Sequence, residues 1–351
     1  MTELEVIGTR ARHAAQQLAI LDTAEKNRIL EAAAAALDEK EKQARILRAN
    51  AVDLASADQQ HMAAGLRDRL CLTEARLHAM AEAIREIAAL EDPVGEVLSE
   101  TLRPNGLRLQ KVSVPIGVIG IIYEARPNVT SDAWSLCFKS ANAVILKGGS
   151  DAIESNRAIT EVLREAIAGA GIDPNVLQLI EATDHETTHR FMQMNAYVDV
   201  LIPRGSRRLI QAVVKNASVP VIETGAGNCH IFLDRSADVE KAVPIVFNAK
   251  TQRIGVCNAC ESLVVDRSVL SSVLVPVIEK LQEKDVIAFC DEESHAALQA
   301  AADRGAAIRM DLVQKAAEED FFTEYLDYKI SVKTVASVEE AITHINRCST
   351  R

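Results

Sequence analysis

The chain has 351 residues, 48% of them apolar and 25% charged, an ordinary globular composition that excludes a disordered, collagenous or fibrous protein. With 39 basic against 50 acidic side chains the net charge is −11, and there are only one Trp, four Tyr and seven Phe. A nucleic-acid binder would show a basic footprint and stacking aromatics instead.

Seven cysteines are scattered along the chain, no signal-peptide pattern opens it, and no run approaches the ~18 apolar residues of a membrane span. Free thiols in a reducing cytoplasm are therefore expected. At ~150 residues per domain, the length suits two domains.

The first ninety residues are rich in Ala, Leu, Glu, Lys and Arg, and Leu70, Leu77, Met80, Ile84 and Ile87 recur at helical spacing. A helical segment is expected up to the break at Pro93 and Gly95. After the turn signal Pro104-Asn105-Gly106, alternation over Leu107 to Val114 predicts a strand with one wet face. The run from Gly117 to Tyr123 is continuously apolar, as a strand covered on both faces must be.

Beyond it, strands are expected at 143–147, 176–180, 198–202, 219–222 and 230–233, with helices near 130–140, 151–168, 185–195 and 206–216. This alternation implies βαβ crossovers and a parallel sheet, whose ligands bind at the carboxyl ends of its strands. A second alternating block follows Asp234: helices near 237–249, 268–283 and 292–303, and strands at 261–265, 286–289, 307–310 and 329–335.

His185-Glu-Thr-Thr-His189 matches the zincin pattern, but Thr183-Asp184 is a helix start directly before it and no third ligand is spaced to join it. A polar helix start is the better reading. Cys257-Asn-Ala-Cys260 matches C-x-x-C, yet it precedes a strand and has no second pair to complete a metal site. A single nucleophilic Cys257 is favoured, with Gly255 easing backbone approach and Asn258 adding an amide. No G-x-G-x-x-G or P-loop follows any strand, and Gly225-Ala-Gly227 fails at the third glycine, where His230 stands.

Three segments together carry a resemblance: Val114 to Arg157 with its YEARPNVT box, Ile202-PRGSRRLI with Val219 to Arg235, and Asn248 to Asp266 with its CNA box. They resemble the γ-glutamyl phosphate reductases, or glutamate-5-semialdehyde dehydrogenases, of the aldehyde dehydrogenase superfamily. The resemblance implies an aldehyde-dehydrogenase-like α/β fold of two Rossmann-like domains with a β-arm for oligomerisation. It divides the chain into an NADP-binding domain at 1–106 and 116–231, an arm strand at 107–115 and a catalytic domain at 232–351.

The implied reaction is NADPH-dependent reduction of L-γ-glutamyl 5-phosphate to L-glutamate 5-semialdehyde and phosphate, in proline biosynthesis. The resemblance makes Cys257 the nucleophile that forms a thioester, and Asn128 an oxyanion donor beside the Cys257 backbone N–H. Such donors are worth ~3 kcal/mol each. Lys147 falls where the superfamily contacts the adenosine ribose, and Gly205 and Ser206 where its strand-to-helix loop approaches the pyrophosphate. Glu223 stands at the hydrolytic enzymes' water-activating position, which this reaction does not need. Arg126 and Arg253 are candidates for phosphate or the substrate carboxylate, Cys260 is a bystander, and no metal is implied.

Glutamate 5-kinase as functional partner and a homo-oligomer follow from the resemblance too. The segment Val335 to Arg351 enters a family signature that ordinarily continues, with a later strand joining the arm. From this a catalytic domain incomplete at its C-terminus, an arm lacking its partner strand and weak or no activity are expected. The readings from other classes are a non-catalytic truncated form and another acyl-reducing relative.

Overall fold

The computed structural model describes residues 1–62, 64–124, 126–223 and 227–350. The chain divides into two compact units, Met1–Thr224 and Gly225–Arg351.

The first unit opens with α1 (Glu3–Leu18), α2 (Thr23–Asp38), α3 (Lys40–Gln59), α4 (Ala64–Leu70) and α5 (Glu74–Ala89). Local chemistry sets where they begin. Thr2 with Glu5, and Asp22 with Glu25, form reciprocal capping boxes at α1 and α2, and Thr73 caps α5. Ile29, Leu30, Ala33 and Leu37 of α2 meet Leu77, Met80 and Ile84 of α5 in one core. The small alanines let the helices approach closely, while each buried Leu or Ile contributes about 1.5–3 kcal/mol.

An antiparallel hairpin follows, β1 (Val97–Leu102) and β2 (Arg108–Val112). Gly106 takes φ +86° in its turn, a conformation open mainly to glycine. The expected strand is present, but both of its faces are exposed, and β1 was not anticipated. Alternation implied a core beneath one face; here Leu109 and Val112 pair only within a sheet of two strands.

Next come β3 (Val118–Tyr123), α6 (Val129–Lys139), β4 (Ala143–Gly148), α7 (Ile153–Gly169), β5 (Leu177–Leu179), α8 (His185–Phe191), β6 (Val200–Arg204) and α9 (Arg207–Asn216). The four strands form a parallel sheet in the order β5-β4-β3-β6, and every residue of β3 and β4 is buried. Alternate side chains explain the continuous apolar run. Ile119, Ile121 and Tyr123 enter the core shared with α2, α5, α6 and α7, while Val118 and Ile122 enter the one shared with α1. The strand expected at 219–222 is reduced to a bridge between Leu201 and Val221. Pro220 offers its carbonyl to the Leu201 N–H at 2.8 Å but has no N–H to return.

The second unit holds β7 (Cys229–Leu233), α10 (Val239–Thr251), β8 (Cys260–Asp266), α11 (Val275–Gln282), β9 (Ile287–Cys290), α12 (Glu292–Asp303), β10 (Val313–Lys315), β11 (Lys329–Val335) and α13 (Val338–Cys348). Its sheet, ordered β10-β9-β11-β8-β7, is parallel throughout. The strand expected at 307–310 lies instead at Val313–Lys315. The amide of Gln282 takes both backbone groups of Arg309, at 2.8 and 3.0 Å, and removes them from any ladder. Among the described residues no helix is long and apolar enough to cross a membrane.

Candidate active site

In the first unit the sheet register gathers the cofactor-side candidates. Ile122 of β3 is level with Lys147 of β4 and with Pro203 of β6, so the three strands end together. Strand β4 lies on one side of β3 and β6 on the other, which makes the carboxyl edge at β3 a topological switch point. Asn128 follows β3, Lys147 is the penultimate residue of β4, and Gly205 and Ser206 follow β6, so the four candidates lie towards this edge.

Ser206 caps α9, accepting from the Leu209 N–H at 3.3 Å. The Glu124 carboxylate accepts from the Ser206 N–H at 2.7 Å and from its hydroxyl at 3.0 Å. An anion is thus already seated at a helix N-terminus, where unpaired N–H groups and the macrodipole favour negative charge. A Cβ on residue 205 would come within 2.6 Å of that carboxylate, so glycine is what admits it.

Lys147 is only 3% exposed and donates to the Gly148 carbonyl at 2.9 Å. Burial pulls its pKa below the usual lysine range, and the charge of Asp184 at the start of α8 opposes the shift. Asp184 also caps that helix through the Thr187 N–H at 2.7 Å, which places the His185-to-His189 motif at a polar helix start.

Asn128 is half-buried and does not cap α6 with its side chain. One of its side-chain amide N–H groups donates to Asp132 at 2.8 Å, and its backbone carbonyl accepts from the Ser131 hydroxyl at 2.9 Å. Burial raises the Asp132 pKa, against the hydrogen bonds from Asn128 and Ser131. Asp132 therefore fixes the plane of the Asn128 amide, a role that the sequence did not single out.

In the second unit Cys257 sits in the loop between α10 and β8. It alone of the seven cysteines is exposed. Two contacts hold its backbone. The Cys229 thiol, at the start of β7, donates to the Cys257 carbonyl at 3.3 Å. Gly227 packs so closely that a Cβ there would overlap that same carbonyl. Gly225, of the Gly225-Ala226-Gly227 triplet, lies outside the described residues.

The loop is anchored at both ends by one ion pair. Lys250, in the last turn of α10, meets Glu261 of β8 at 2.7 Å, with both side chains wholly inaccessible. Glu261 also accepts from the Leu326 N–H at 3.3 Å. The available signal for Glu261 was an acid inside the apolar run of β8; Lys250 in an amphipathic helix gave none. Cys260 is 2% exposed and faces the core of its unit, with its thiol pushed up to about 12 by burial. The C-x-x-C spacing is therefore not an exposed dithiol.

The model of the aldehyde dehydrogenase family matches residues 2–321. A gamma-glutamyl phosphate reductase of Agathobacter rectalis is 51% identical over 350 residues, covering 100% of this chain and 81% of the relative. That of Moorella thermoacetica is 49% identical, covering 99% and 80%. Among solved structures, the gamma-glutamyl phosphate reductase of Thermotoga maritima superposes with a TM-score of 0.88 at 41% identity, covering 99% of this chain and 81% of that one. By its family model, its relatives matched along the whole of this chain and its fold, the chain belongs to the aldehyde dehydrogenase family, where it groups with the gamma-glutamyl phosphate reductases.

Proposed function

We propose that this oxidoreductase converts L-γ-glutamyl 5-phosphate and NADPH to L-glutamate 5-semialdehyde, phosphate and NADP⁺. The observation that carries the reading is 51% identity to a gamma-glutamyl phosphate reductase over the length of the chain, together with a single exposed thiol.

Cys257 attacks the acyl carbonyl, a C–S bond forms and the C–O bond to phosphate breaks, which leaves a thioester. Negative charge develops on the carbonyl oxygen as the thiolate adds. The second N–H of the Asn128 amide and the Cys257 backbone N–H are the donors assigned to it, each worth ~3 kcal/mol where water is excluded. Asp132 accepts the first N–H of that amide and limits its rotation.

The residues of the first unit fit a dinucleotide. The pyrophosphate would replace the Glu124 carboxylate on the Ser206 N–H and hydroxyl, taking the space that Gly205 leaves for that carboxylate, and Lys147 would supply a cation for the ribose side, including a 2′-phosphate. NADPH, when bound, supplies the hydride that reduces the thioester. Glutamate 5-kinase as the source of the acyl phosphate, proline biosynthesis as the route, a homo-oligomer built through β1 and β2, and a cytoplasmic setting for seven free thiols complete the proposal.

The test is phosphate-dependent reduction of NADP⁺ with glutamate 5-semialdehyde, followed for the protein and for Cys257→Ser. Turnover is expected in the first and lost in the second, with NADPH binding by fluorescence retained. Turnover by Cys257→Ser removes Cys257 as nucleophile. Activity with an acyl-CoA and none with the semialdehyde overturns the substrate.

A further inference from the structure

We propose that Cys229 is a resolving thiol for Cys257, so that oxidation of Cys257 by hydrogen peroxide ends in a reversible Cys229–Cys257 disulfide. The consequence for turnover rests on Cys257 being the nucleophile; the disulfide itself does not.

Geometry carries the argument. The Cys229 sulfur lies 3.3 Å from the Cys257 carbonyl oxygen. That oxygen is about 2.4 Å from its own Cα, so the sulfur sits within about 6 Å of the Cys257 Cα. With the Cys229 sulfur about 2.8 Å from its own Cα, the two Cα atoms lie within about 9 Å; disulfides join residues whose Cα atoms are about 4.4–6.8 Å apart, so rotation about χ1 and a loop movement of at most a few ångströms close the bond. The Gly227 contact fixes the same proximity independently, because the strand entering β7 lies directly on the Cys257 backbone.

Exposure sets the order of events. Cys257 is the exposed thiol and meets the oxidant first, while Cys229 is half-buried. Burial, and then the neighbouring Cys257, raise the Cys229 pKa and keep its proton in place until an electrophilic sulfur is presented. Cys260 is nearer in sequence, but its sulfur lies against the Ser262 carbonyl at 3.5 Å inside the core. Cys348 is likewise buried, 3.8 Å from the His344 ring.

The chemistry balances in two steps. The Cys257 thiolate attacks peroxide: an S–O bond forms, the O–O bond breaks, and hydroxide takes a proton to become water. Cys229 sulfur then attacks the Cys257 sulfenic acid: an S–S bond forms, the S–O bond breaks, and the departing hydroxide takes the Cys229 proton. Two thiols are oxidised, one peroxide is reduced, and two waters are formed. Blocked in this way, Cys257 escapes the irreversible sulfinic and sulfonic states, and a thiol reductant restores it.

The experiment treats the purified chain with hydrogen peroxide, blocks free thiols with N-ethylmaleimide and maps peptides by mass spectrometry. Loss of two of the seven thiols and a linked peptide joining residues 229 and 257 are expected, reversed in full by dithiothreitol. In Cys229→Ser and Cys229→Ala the link disappears, Cys257 runs on to sulfinate and sulfonate, and dithiothreitol recovers neither thiol nor turnover. Cys260→Ser is expected to retain the link. A 257–260 link, or over-oxidised Cys257 in the unaltered chain beside a free Cys229, overturns the proposal. The link is read by mass alone, so it stands or falls separately from the assignment of Cys257 as nucleophile.

Discussion

Replacing Lys250 by Met is expected to destabilise the second unit severely, and the size follows from the pair it breaks. Both partners of the 2.7 Å Lys250–Glu261 pair are wholly inaccessible. Removing one partner of such a pair leaves an uncompensated buried charge and costs about 3–5 kcal/mol. Against a total stability of about 5–15 kcal/mol, that is a large share.

Glu261 has one escape. The charge and hydrogen bond of Lys250 are the two largest influences lowering its pKa; without them burial acts almost alone, and the group takes a proton. The penalty of the variant therefore shrinks as pH falls, by about 1.4 kcal/mol per pH unit while the neutral form is being populated. Joint replacement by Lys250→Met and Glu261→Leu restores most of the loss, because an apolar pair of similar volume needs no desolvation of charge.

Urea unfolding of all three proteins at several pH values measures this, with circular dichroism and hydrogen exchange of the β8 amides as probes. Tryptophan emission is the wrong probe, since the single Trp134 lies in the first unit. A loss below about 1 kcal/mol for Lys250→Met, a loss that does not change with pH, or a double variant no better than the single one refutes the reasoning.

Gly227→Ala is expected to push the Cys257 loop off its seat, because the new methyl overlaps the Cys257 carbonyl; overpacking of this kind costs about 1–3 kcal/mol. Unchanged stability together with an unchanged rate of Cys257 alkylation by iodoacetamide counts against that contact. Burial, with His230 as the next cause, lowers the pKa of the 7% exposed His344 from 6.5 to about 4. The unfolded chain therefore binds the extra proton first: this contribution is complete above pH 6.5 and is lost as pH falls towards 4, about 3 kcal/mol in all. His344→Leu is expected to flatten the stability curve across that window, and an unaltered slope shows that another group is responsible.

Much of the architecture is legible because local signals agree. The Asp22-to-Glu25 box, the apolar spacing of α5 and the uninterrupted run of β3 each specify one kind of element, and their order implies a parallel sheet. Errors arise where a distant group decides. Nothing near Arg309 reveals that Gln282 will take its backbone hydrogen bonds, and nothing in Leu107 to Val114 says whether another element covers it. The same division runs through the site. Cys257, Asn128, Lys147, Gly205 and Ser206 are candidates because they lie in the contiguous segments that carry the family resemblance. Glu124, Asp132, Gly227, Cys229 and the Lys250–Glu261 pair take their meaning from partners across a strand, a loop or a turn.

The carboxyl edge of the first sheet separates two kinds of demand on the chain. The strands that build it, Val118–Tyr123 and Ala143–Gly148, are buried along their whole length and answer to packing. Glu124, Gly205 and Ser206, one or two positions past strand ends, are exposed, and on the proposed reading they answer to the dinucleotide. On the proposed reading, substitutions at these tips alter ligand preference while the supporting core keeps its shape, and substitutions in the strands, Lys147 apart, change stability with no new chemistry to select. An edge of this construction lets one scaffold be retuned by a few loop residues at a time, with foldability and specificity drawn from different positions of the same sequence.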